Sequence, residues 1–180
     1  PFATGLLPIC LGEATKVSGL LLDSDKRYLA TLQLGMATDS GDKDGAEIQS
    51  KSVPEHSQQQ IEKVLASFLG ASTQLPPMYS ALKHQGKPLY EYARQGIEIE
   101  RPERPIRLDI LNLLTYSPTE IQFDVLCSKG TYVRTLGEDI AKALGTVGHL
   151  TGLHRIQTGC LHADQMVTLA EIEADPANCL

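Results

Sequence analysis

The stretch from Ile121 to Leu144, IQFDVLC-SKG-TYVRTLGEDIAKAL, constrains the fold most, because its hydrophobic period changes once, at a defined place. Ile121, Phe123, Val125 and Cys127 alternate with Gln122 and Asp124, the period of a half-buried β-strand. Beyond Ser128-Lys129-Gly130, the residues Val133, Leu136, Ile140, Ala143 and Leu144 recur at helical spacing, and Gly145 supplies a C-terminal stop. A strand thus hands the chain through a glycine turn to a helix that opens with Thr131, Tyr132 and Arg134. A helix N-terminus carries free N–H groups and partial positive charge, and Arg134 adds a full charge, so this corner suits an anion. The competing reading of the same stretch is a solvated Arg134–Glu138 contact at i,i+4, worth about 0.2–0.5 kcal/mol.

The remaining elements surround this corner. Arg27 to Leu34 alternates, with Tyr28, Ala30, Leu32 and Leu34 on one face, and reads as a strand. It runs into an acidic, turn-rich loop, MATDSGDKDGAEI. That loop resembles a calcium loop only superficially: counted from Ser40, the twelfth position is Lys51 where a bidentate Glu is required. Ser57 and Gln60 form a capping box ahead of Ile61, Val64, Leu65, Phe68 and Leu69, and Gly70 closes that helix. Ile106 to Leu114 and Ile121 to Cys127, joined by Tyr116 to Glu120, read as an antiparallel pair. The Gly-rich passage TVGHLTGLHRIQTG is expected to hold a short strand from Leu153, and Thr168 with Glu171 to cap a short final helix. Helices and strands without βαβ regularity point to an α+β fold, a mainly antiparallel sheet with flanking helices.

With 180 residues and 42% apolar content the chain fits one domain with a substantial core. No apolar run approaches the ~20 residues of a membrane span. Four scattered cysteines without a CxxC pair suit reduced thiols and a cytoplasmic setting. A net charge of −6 argues against indiscriminate nucleic-acid binding but leaves a local basic surface open. No metal site is expected, since His149 and His154 are five apart and no Cys or carboxylate stands at ligand spacing. Neither a GxSxG elbow nor a GxGxxG fingerprint is present.

The segment from Gln74 to Arg107 is of a different kind. Tyr79, Tyr90 and Tyr92 interleave with Lys83, His84, Lys87 and Arg94, and five prolines prevent one long regular element. Aromatics among cations in an irregular segment suit RNA, where bases stack and phosphates need neutralising; a surface loop covering a core edge is the alternative.

Five separated stretches, PFATGLLPICLGEATK, SDKRY, PPMYSALKHQGKPLYEYAR, CSKGTYVRTL and GLHRIQTG, together resemble the bacterial tRNA pseudouridine-55 synthases of the TruB type, over essentially all of the chain. The resemblance implies a pseudouridine synthase catalytic domain over residues 1–180 with an RNA-contacting insertion at about 74–105. It implies isomerisation of one uridine in the TΨC loop of tRNA, by base flipping and an Asp nucleophile, with no cofactor. In that family the nucleophile directly precedes the segment matching Pro1 to Gly5, so it is expected immediately ahead of Pro1; the family's C-terminal RNA-binding domain is expected to be absent. Tyr28 and Arg134 take catalytic roles by this match, Tyr28 stacking on the flipped base and Arg134 pairing with the nucleophile. Tyr132, Leu153, Lys83 and Asp42 match substrate-site residues, Asp42 approaching the same arginine. His154 stands where a second Arg is expected beside Arg155. The implied partner is the tRNA T stem-loop, and the implied state a monomer. A non-catalytic RNA-binding or RNA-folding module on the same scaffold is the alternative function.

Overall fold

The computed structural model describes residues 2–176. Its elements in chain order are β1 (Thr4–Gly5), a 3-10 turn (Gly12–Val17), α1 (Ser18–Asp23), β2 (Lys26–Leu34), β3 (Met36–Thr38), β4 (Glu47–Ser50) and α2 (Gln58–Ala66). There follow β5 (Gly70–Gln74), β6 (Lys83–His84), β7 (Lys87–Pro88), α3 (Leu89–Ala93), β8 (Arg104–Tyr116) and β9 (Glu120–Cys127). The chain continues with α4 (Val133–Ala143), β10 (Gly148–Thr158), β11 (Leu161–His162) and α5 (Leu169–Ala174).

One sheet organises the domain, in the order β1-β10-β2-β9-β8-β5, with β11 paired to β10. All of its pairings are antiparallel except β1 with β10. The alternation in β2 and β9 is in register: Tyr28 faces Val125, Ala30 faces Phe123 and Leu32 faces Ile121. Those side chains therefore share one face, which α2 and α4 cover with Ile61, Leu65, Val133, Leu136 and Ile140. Burial of such aliphatic and aromatic side chains contributes about 1.5–3 kcal/mol each. On the opposite face Asp124, nearly buried, receives two hydrogen bonds from Arg27 at 2.8 and 2.5 Å.

α4 packs on the sheet through Gly137. A Cβ there would stand 2.9 Å from Leu150 Cδ2, so a larger residue would require the buried Leu150 side chain to shift. Both capping boxes form, at Ser57/Gln60 and at Thr168/Glu171.

Two elements differ from the sequence reading. The strand expected to start at Leu153 instead runs from Gly148 to Thr158, between β1 and β2 in the sheet. Register shifts between Leu150 and Gly152, and between Arg155 and Gln157, break its alternation; a bulge turns successive side chains off the period-two pattern. β5 was not legible at all: GASTQ is polar and nearly all exposed, an edge strand held by its pairing with β8.

Candidate active site

At the N-terminal end of α4 opens a cavity of about 720 Å³. Its walls come from six parts of the chain. The segment before β1 gives Phe2 and Ala3, β2 gives Tyr28, and β10 gives Leu153. The β3–β4 loop contributes Asp39, Ser40 and Asp42, the segment around α3 contributes Tyr79 and Arg94, and the start of α4 contributes Thr131, Tyr132 and Arg134.

Arg134 knits these parts together. Its Nη1 donates to Asp42 Oδ2 at 2.9 Å and to the Ser40 carbonyl at 2.9 Å, and its Nη2 donates to the Tyr79 carbonyl at 2.7 Å. The ion pair of Arg134 is thus with Asp42, in the acidic loop, and not the i,i+4 contact with Glu138 that the helix spacing offered. Asp42 is 7% exposed at its side chain and Arg134 20%. In such a setting a charged hydrogen bond is stronger than on an open surface. Asp42 is itself fixed by the Ser40 hydroxyl at 2.7 Å and the Asp44 amide at 3.2 Å. The loop's backbone is laced to β10, with Leu150 N–H donating to the Gly41 carbonyl and Lys43 N–H to the Leu150 carbonyl. Gly41 makes this turn at φ +74°, a conformation that side-chain-bearing residues rarely adopt.

Tyr132 is the N-cap of α4. Its backbone is clamped at both ends by Gln74, which accepts from Tyr132 N–H at 2.8 Å and donates to its carbonyl at 3.2 Å. Tyr28 packs against the core, and burial raises its phenol above the ordinary value, with Cys127 adding and Arg155 opposing. The phenol is therefore neutral near pH 7. Tyr79 donates its hydroxyl to Asp39 at 3.0 Å, and that bond raises its pKa.

Tyr28, Asp42, Tyr132, Arg134 and Leu153, five of the six residues singled out from the sequence, line this one cavity. Lys83 does not. It sits in the β6–β7 hairpin and borders a separate cavity of about 80 Å³ with Leu82, Leu89 and Arg101. Proline-punctuated sequence hides such a hairpin, so residue spacing alone does not show which way Lys83 is carried. His154 shares a 2.9 Å hydrogen bond with the Thr4 hydroxyl on β1. Sequence reasoning did not single out Gln74, Asp39, Tyr79 or Arg94 as site residues. The last two stood among the interleaved tyrosines and cations, but nothing in the spacing of Gln74 or Asp39 marked them. Among the described residues no group of three His, Cys, Asp or Glu side chains is placed to hold a metal ion, and no helix is long and apolar enough to cross a membrane.

The cavity offers aromatic and apolar walls for a planar ring, and a guanidinium whose orientation is fixed by three acceptors. Stacking of a base on an aromatic side chain is worth about 1–3 kcal/mol. A cation held within about 4–6 Å of a carboxylate lowers its pKa by roughly 1–3 units, so Arg134 would keep a neighbouring acid ionised.

Comparison with known proteins agrees with this architecture. Residues 1–133 match the model of the TruB family pseudouridylate synthase N-terminal domain, and residues 134–177 match a tRNA pseudouridylate synthase B C-terminal domain. The two matches meet inside the first turn of α4, so their boundary is not a structural one. The tRNA pseudouridine synthase B of Hydrogenovibrio crunogenus is 70% identical over 173 residues, covering 96% of this chain and 57% of the relative. That of Psychrobacter cryohalolentis is 56% identical over 176 residues, 98% of this chain and 49% of the relative. The chain thus spans about half the length of the curated relatives it matches. A solved chain in the crystal structure of a Cbf5-Nop10-Gar1 complex superposes with a TM-score of 0.71 at 25% identity, over 94% of this chain and 41% of that one. With a family model covering 133 consecutive residues and the fold in agreement, the chain belongs to the TruB family of pseudouridylate synthases.

Proposed function

We propose that this chain is the catalytic part of a tRNA pseudouridine(55) synthase, isomerising one uridine of the TΨC loop. The observation that carries the reading is the Arg134–Asp42 pair set beside Tyr28, Tyr132 and Leu153 in one cavity; the synthase names of the relatives support catalysis over a binding-only module. The uridine leaves the loop stack, at a cost of roughly a few kcal/mol, and stacks on Tyr28 with Tyr132 and Leu153 enclosing it. An Asp carried immediately ahead of Pro1 attacks as nucleophile, kept ionised by Arg134. The glycosidic bond breaks, the uracil turns while held, and a carbon–carbon bond forms to the same sugar. No cofactor takes part. The protein acts on the tRNA T stem-loop as a cytoplasmic monomer, with residues 74–105 contacting the RNA and Lys83 meeting its backbone from the hairpin.

Tritium release from [5-³H]uridine-labelled tRNA by the full-length protein tests the reading, together with the Arg134→Ala variant. The expected result is release by the wild type, with no detectable turnover but nearly unchanged tRNA affinity in the variant. Near-normal turnover by Arg134→Ala would sink the ion-pair role.

A further inference from the structure

The helix that carries Arg134 presents a second acid to the same loop. Glu138 lies one helical turn beyond Arg134, and the Ser40–Asp42 turn rests on both. A Cβ at Gly41 would stand 3.0 Å from Glu138 Oε1 and 3.4 Å from Arg134 Cβ. The Glu138 carboxyl therefore packs directly against the turn at Gly41. Arg134 reaches over this turn to Ser40 and Asp42, leaving the Glu138 carboxyl pressed against the loop outside the ion pair.

We propose that Glu138 is a positioning residue for Arg134, whose proton determines whether the guanidinium can accept a further anionic partner. With Glu138 protonated, Arg134 is balanced by Asp42 alone and attracts another carboxylate. With Glu138 ionised, a second negative charge stands against the turn that holds the Arg134–Asp42 pair, and a third anion is disfavoured. This rests on the reading that Arg134 meets a carboxylate during the reaction.

The charged groups facing Glu138 are Asp139 and Arg134 on its own helix and Asp42 from the β3–β4 loop. Burial pushes the Glu138 carboxyl up to about 7, Asp139 and Asp42 adding to the rise and Arg134 opposing it.

Two measurements on the full-length protein test this. The first follows the Glu138 carboxyl by ¹³C NMR titration, assigned with Glu138→Gln. Arg134→Gln, which removes the opposing cation, is expected to move the titration upward, and Asp42→Asn, which removes a like charge, to move it downward. A titration unchanged in both variants overturns the proposal whatever the activity. The second is single-turnover pseudouridine formation at saturating tRNA between pH 6 and 9. The wild-type rate is expected to fall about tenfold or more between pH 6 and 9, levelling off once Glu138 is ionised. Glu138→Gln, neutral at every pH, should hold a flat rate with KM unchanged, and Glu138→Asp should restore a pH-dependent fall. Parallel profiles for wild type and Glu138→Gln overturn the proposal. Absence of pseudouridine from the wild type at every pH would overturn the synthase reading instead, while the titration arm still decides the coupling of Glu138 to Arg134.

Discussion

Arg134 binds three acceptors on two separate chain segments, and only a planar, forked side chain can do so from one Cα position. Its neighbours illustrate how much one residue's surroundings decide. Cys127 closes β9 on the buried face, and burial pushes its thiol up to about 12, with Asp25 and Asp109 adding and Thr131 and Lys26 opposing. A thiol reacts as its thiolate, so Cys127 is inert at neutral pH although it lies only a few residues from the cavity wall. Brief treatment of the native chain with iodoacetamide at pH 8, read by peptide mass spectrometry, should label exposed Cys160 and spare Cys127. Labelling of both at similar rates would show that β9 opens readily.

At the scale of elements, the start of α4 is placed by a strand from the far edge of the sheet. Gln74, 6% exposed at the end of β5, holds both backbone polar groups of Tyr132. Gln74→Leu leaves the Tyr132 N–H unpaired, its carbonyl still accepting from Leu136 N–H at 3.1 Å, and a buried unsatisfied group costs about 1–3 kcal/mol. The expected outcome is a lower urea midpoint with the slope unchanged, together with a raised KM for tRNA because Tyr132 loses its anchor. These elements also show what the sequence makes legible. β2, β8, β9, α2 and α4 bury one face each, so period two or 3.6 is written into their residues. β10 is interrupted by two bulges, and β5 is a polar edge, so neither bears a period. The site follows the same logic. Arg134 was legible as a cation at the start of a helix, whereas Tyr28, Tyr132, Leu153 and Asp42 were reached only through family resemblance. Gln74 and Asp39 act through contacts 58 and 40 residues away along the chain, and no local pattern encodes such a distance.

In the molecule as a whole, the main sheet carries α2 and α4 on the face that holds Phe123, which is wholly buried. Phe123→Ala should cost about 3–5 kcal/mol, enough to populate unfolded chain at modest urea; a loss under 1 kcal/mol would mean that the face collapses around the void. The first strand has a different part in this whole. β1 is two residues long, yet it runs parallel to β10 with Thr4 opposite His154, and Leu6 exchanges hydrogen bonds with Arg155 through both backbone and side chain. Phe2 and Ala3, just ahead of that anchor, already line the cavity. A residue joined ahead of Pro1 is only two Cα steps from Phe2, at most about 7.6 Å. Such a tether works as concentration: it gives the attached group a local abundance of about millimolar or more, so a reactive side chain there needs no affinity of its own for the cavity.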